Sequence, residues 1–132
     1  MQPVARLFVM LGSVNAALAV ILGAFGAHML KARLSPEMLN VYQIGSHYHF
    51  YHAIGMLIVG LLAAQIHNDA AVQLSGFLML GGIVLFCGSL YLLAVTGITW
   101  LGAVAPLGGL AFIAAWSVLA LAALRAKTAI GS

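Results

Sequence analysis

The chain has 132 residues, 64% of them hydrophobic and 5% charged, with five Lys and Arg against two Asp and Glu. Soluble domains carry roughly 25% charged residues, so a water-soluble fold is excluded, and the short connections leave room for one domain over 1–132. The net charge of +3 is scattered at the ends of apolar runs, which argues against nucleic acid and for anchoring at membrane lipid headgroups.

The charged residues Arg6, Lys31, Arg33, Glu37, Asp69, Arg125 and Lys127 delimit uncharged blocks of 24, 31 and 55 residues (7–30, 38–68 and 70–124). A helix rises ~1.5 Å per residue and a bilayer core is ~30 Å thick, so about 20 apolar residues make one crossing. The blocks predict an all-α integral membrane bundle of four transmembrane helices, at about 4–30, 49–66, 72–95 and 101–124.

In the first block, Arg6 before an apolar stretch and the run Ala24-Phe25-Gly26 imitate a secretory leader. Leu7–Ala27 is long enough to span, and retention as a crossing is the simpler reading. Gly12, Ala16, Ala19, Gly23 and Gly26 lie four, three, four and three apart. That spacing draws one stripe of small residues, the surface along which membrane helices approach closely. Asn15, beside the stripe, is expected to make an interhelical hydrogen bond.

Ser35-Pro36-Glu37 opens the next helix: Ser caps it, Pro takes the first helical position and Glu complements the dipole. Asn40, Gln43 and His47 then share a face, which predicts an interfacial amphipathic segment over about 35–48. Gly45-Ser46 is a plausible kink, and Tyr48, Phe50 and Tyr51 form an aromatic belt leading into the second crossing.

His67-Asn68-Asp69 is a polar turn, and in the third crossing Ser75, Gly82 and Ser89 repeat every seven residues as a packing seam. Cys87, the sole cysteine, falls within an apolar run and reads as a buried structural thiol. Thr96-Gly97-Ile98-Thr99-Trp100 interrupts the long block. The fourth crossing begins at Leu101 or at Pro106; Pro106 kinks the helix in the first case and starts it in the second. Gly108, Ala111, Ala115 and Ala122 give it a small-residue stripe. Four crossings leave both termini on one side, with Arg6, Arg125 and Lys127 against Lys31 and Arg33 on the other. The excess of basic residues favours cytoplasmic termini.

The densest polar cluster is His47-Tyr48-His49-Phe50-Tyr51-His52. His49 and His52, three apart, share one face of a helix, and His28 falls at the same membrane side. Three readings stay open: interfacial hydrogen bonding, ligation of haem or a metal by His28, His49 and His52, and contact with a lipid headgroup or quinone-like ligand. No cysteine and no carboxylate other than Glu37 lies near, and the spacings of strong metal helices are absent. Gly23-Ala24-Phe25-Gly26 is a packing element, since no strand precedes it as a phosphate loop requires. Ser89 and Tyr91 fall at the same membrane side as the histidines; catalysis by Ser89 would need a base and an oxyanion site.

The ordered motifs Gly23-Ala24-Phe25-Gly26-Ala27-His28, Tyr48-His49-Phe50-Tyr51-His52, Phe86-Cys87-Gly88-Ser89-Leu90-Tyr91 and Pro106-Leu107-Gly108-Gly109, followed by Trp116, cover nearly the whole chain. Together they resemble the YgdD/YwdK-like family of small four-helix membrane proteins, a domain of unknown function related to a small animal transmembrane protein family. The resemblance implies a bacterial inner-membrane location and carries over His28, His52, Ser89, Tyr91 and Pro106 as motif positions. His49 and Cys87 depart from the pattern, which weakens a ligand role for His49.

The leading functional expectation is a non-enzymatic small membrane protein acting through helix packing, lipid contact, homo-oligomerisation or support of a membrane partner. The alternative is a ligand or cofactor module with a pocket of His28, His52, Ser89 and Tyr91, and His49 as a weaker member. A small dimeric transporter is the third reading. Proton coupling inside the bilayer usually needs a carboxylate there, and Glu37 and Asp69 both fall outside the crossings.

Overall fold

A computed structural model describes residues 1–126, and Lys127 lies outside the described residues. The chain forms α1 (Pro3–Phe25), α2 (Pro36–Gln65), α3 (Ala70–Gly82), α4 (Gly88–Thr96) and α5 (Leu101–Arg125). A π-turn, Gly26–Leu30, extends α1, and a second, Ile83–Cys87, joins α3 and α4 into one rod. The four rods are each long and apolar enough to cross a membrane.

Local chemistry sets the boundaries. The Ser35 hydroxyl accepts from the Met38 amide and Pro36 opens α2. Asp69 caps α3, its carboxylate accepting from the amides of Ala71 and Val72 at 2.8 and 3.2 Å. The third crossing therefore starts at Ala70, two residues before the predicted Val72. Gly97, at φ 72°, ends α4 in the left-handed conformation that favours glycine. Leu101 begins α5 and leaves Pro106 inside the helix.

The second helix differs from expectation. It is continuous from Pro36 to Gln65, about 45 Å at the standard rise. Tyr42, Gly45 and Ser46 are buried in the bundle, so the first part of α2 packs against neighbouring helices. Gly45 lies against Leu90 and the Cys87 carbonyl, and that close approach holds α2 onto the α3–α4 rod.

Two antiparallel hairpins make up the bundle. In the first, the small stripe of α1 faces α2: Gly12 abuts the backbone of Ala53 and Leu57, Gly23 meets Ser46, and Gly26 meets the Tyr42 ring. In the second, the Ser75 hydroxyl donates to the Ala115 carbonyl at 2.9 Å, Gly82 receives Phe112, and Gly108 lies on the backbone of Phe86 inside the π-turn. The hairpins meet where α2 packs on α3 and α4, around a core that includes Phe8, Met56, Met79, Cys87 and Phe112. Without a hydrophobic drive between helices in lipid, such glycine-lined backbone approaches supply the van der Waals contact that holds the bundle.

Candidate functional site

α1 and the α3–α4 rod touch near their starts, where Phe8 fills the space a side chain on Gly76 would need and meets Phe77 edge-on at 5.0 Å. Further along, a cleft of ≈ 520 Å³ lies between α1, the rod and the start of α5. Leu22 of α1, Val84 and Leu92 of the rod, and Leu101 and Val104 of α5 give it apolar walls, while Asn15, His49 and Tyr91 belong to its floor. Trp100, 66% exposed, stands at the end where α5 begins.

The floor is a hydrogen-bond chain through three helices. Asn15 donates from Nδ2 to the Leu11 carbonyl at 2.9 Å, which fixes its amide orientation. Its Oδ1 then accepts from His49 Nε2 at 3.0 Å. The remaining imidazole nitrogen, Nδ1, is 3.0 Å from the Tyr91 hydroxyl, which donates to it. His49 is 4% exposed, so every polar atom of its ring is satisfied inside the bundle, as burial in an apolar medium demands.

His52 belongs to a different place. Its Nδ1 donates to the Tyr48 carbonyl at 2.7 Å and its Nε2 accepts from the Trp116 indole at 3.0 Å. A carbonyl can only accept and an indole N–H can only donate, so the partners select one tautomer. The ring stacks on Phe112, centroids 3.5 Å apart and planes within 10°. Tyr48 and Phe86 extend the aromatic group, with Tyr48 and Phe86 centroids 4.9 Å apart. A separate cleft of ≈ 350 Å³ runs over this group.

The predicted pocket is therefore divided. Tyr91 pairs with His49, the residue given the weaker role, and not with His52. Ser89, 4% exposed, lines the first cleft while its hydroxyl donates to the Phe86 carbonyl at 2.9 Å. His28 is exposed at the end of α1 and belongs to neither cleft. Among the described residues no three His, Cys, Asp or Glu side chains converge as a metal site, so His28, His49 and His52 are not brought together.

Three participants escaped the sequence reading. Phe112 carries no polar atom to mark it, Trp116 is visible only as part of a motif, and Tyr42 lies off the polar face that marks residues 35–48. The Tyr42 hydroxyl donates to the Leu22 carbonyl at 2.6 Å and its ring packs on Tyr91, 5.0 Å between centroids. A tyrosine inside an apolar membrane segment is a signal in itself, since its hydroxyl needs a partner.

A family model described as protein of unknown function (DUF423) matches residues 22–109, which include most of the residues lining both clefts. The chain is 48% identical over 120 residues to the UPF0382 membrane protein YwdK of Bacillus subtilis, covering 91% of this chain and 98% of that protein. It is 42% identical over 120 residues to a UPF0382 membrane protein of Staphylococcus epidermidis, covering 91% of this chain and 97% of the relative. No solved structure matches. With two thirds of its length under the family model and nearly all of it aligned to full-length relatives, the chain belongs to the DUF423 family of small membrane proteins.

Proposed function

We propose that this protein works without chemical catalysis, in a bacterial inner membrane with cytoplasmic termini, by holding a lipid-phase molecule in the cleft between α1, the α3–α4 rod and α5. The observation that carries the reading is the cleft itself: an apolar groove among helices long enough to cross a membrane, whose polar floor residues Asn15, His49 and Tyr91 are already hydrogen-bonded to one another. Both ring nitrogens of His49 in that floor already have partners, so a hydrocarbon chain can lie over the imidazole without stranding either. The Ser89 proton goes to a backbone carbonyl and not to a histidine, which is not the nucleophile and base arrangement of acyl transfer.

Purification in a mild detergent followed by native mass spectrometry tests the proposal. The expected outcome is a protein carrying retained lipid, and the same spectra report whether it is held as a homo-oligomer or with a membrane partner. A strict monomer stripped of lipid and partner would overturn it.

A further inference from the structure

No charged residue lines the cleft itself among the described residues, but two cations follow the end of α1, the helix that forms one of its walls. Lys31 and Arg33 lie in the exposed turn after α1, where the amides of Arg33 and Leu34 both donate to the Leu30 carbonyl at 2.9 Å. Leu30 and Leu34 pack in a small cluster with Leu22, Tyr91 and Ala94. Leu22 and Tyr91 are themselves cleft residues, so the turn that carries the two cations is anchored on side chains that also line the cleft. Leu22 lies nine residues below Lys31 along α1, about 14 Å at the helical rise and close to the depth of one leaflet. Trp100, exposed at the same end, is the residue type that settles at the headgroup level.

Cations in the turn that adjoins the cleft, a leaflet-deep apolar trough and an interfacial indole at the same end match one class of molecule. We infer that the cleft seats an acyl chain of an anionic phospholipid whose phosphate rests on Lys31 and Arg33. This rests on the lipid-holding reading above and adds the sign of the headgroup. A neutral or zwitterionic lipid would gain the trough alone. An anionic one also gains the two cations, in the partly dehydrated headgroup zone where a surface charge of this kind has its greatest effect. Arg6 and Arg125 stand at the opposite ends of their helices and offer nothing at this end.

The test is competition. The purified protein in mild detergent is offered equimolar phosphatidylglycerol and phosphatidylcholine with identical acyl chains, and bound lipid is read by native mass spectrometry. Wild type is expected to prefer phosphatidylglycerol roughly tenfold, and the Lys31→Gln/Arg33→Gln double variant to bind the two lipids equally. Gly88→Leu places a side chain in the cleft at a position where an added Cβ meets nothing nearer than 4.0 Å, and it is expected to lose both lipids. Should that variant fold poorly, Leu92→Trp, at a wall position 55% exposed, fills the same space. Equal binding by wild type, or a preference that survives the double variant, overturns the headgroup assignment and leaves the cleft reading standing. Undiminished lipid retention by a folded cleft-filling variant overturns both.

Discussion

His49 and His52 stand three residues apart on α2, are equally buried at 4% exposure, and have both ring nitrogens bonded. Their surroundings nevertheless differ in kind. On the His49 side, polar atoms of α1, α2 and α4 are strung together beneath an open trough. On the His52 side, the imidazole is a plate in an aromatic stack that bridges α2 to α5, and its two hydrogen bonds serve to hold the plate flat against Phe112. A residue three positions on points about 60° away, and on a helix with neighbours on several sides that is enough to change partners entirely. Side-chain type thus sets what a position can bond, and the neighbouring helices decide whether it serves a surface or a seam.

The largest expected effect tests the seam. Gly108→Val should place its side chain into the Phe86 backbone, costing about 3 kcal/mol, read as a lowered thermal midpoint by circular dichroism in detergent. A fully stable variant would mean that α5 is not held at the π-turn. Next, His52→Ala should remove the stack and both hydrogen bonds for about 2 kcal/mol. A smaller loss than that of His49→Ala would break the contrast between the two sides. Tyr91→Phe deletes one hydroxyl and leaves His49 Nδ1 without its donor, an expected loss of about 1 kcal/mol. It should leave Trp116 fluorescence unchanged, because that indole bonds to His52. Asn15→Leu should cost least, about 0.6 kcal/mol. Its effect should overlap with that of Tyr91→Phe in a double-mutant cycle, since one imidazole joins the two.

Much of the architecture was legible because lipid imposes a simple rule: a segment without charges and about 20 residues long crosses. The small-residue stripe of α1 was equally legible, since close approach in membranes selects Gly and Ala, and Gly12, Gly23 and Gly26 do face α2. Asn15 makes the interhelical bond expected of it. What failed was pairing across distance. His52 meets Trp116 from 64 positions away, and His49 meets Tyr91 from 42, and no local spacing encodes which of two histidines turns to which helix. In residues 35–48 the polar face of Asn40, Gln43 and His47 is exposed as its spacing implies, but it gave no sign that the opposite face, Tyr42, Gly45 and Ser46, docks into the bundle. The π-turn at Ile83–Cys87 was not legible, because the glycines that flank it, Gly81, Gly82 and Gly88, read equally well as packing positions in an unbroken α-helix.

That widening alters the phase of everything after it. In an unbroken α-helix Ser75, Gly82 and Ser89 would form one line, since seven residues nearly close two turns. Here Ser75 and Gly82 face α5, while Ser89 lines the cleft and Tyr91 reaches α2. Tightening the turn to α geometry with every residue kept would rotate α4 by about 100° and carry Tyr91 away from His49. Deleting one residue between Ile83 and Cys87 would erase the turn yet leave Tyr91 facing α2. The rod therefore behaves as two helices whose angular offset is stored in a single surplus residue, and a one-residue deletion that would turn the far half of a plain α-helical crossing by about 100° is expected here to leave the polar chain facing α2.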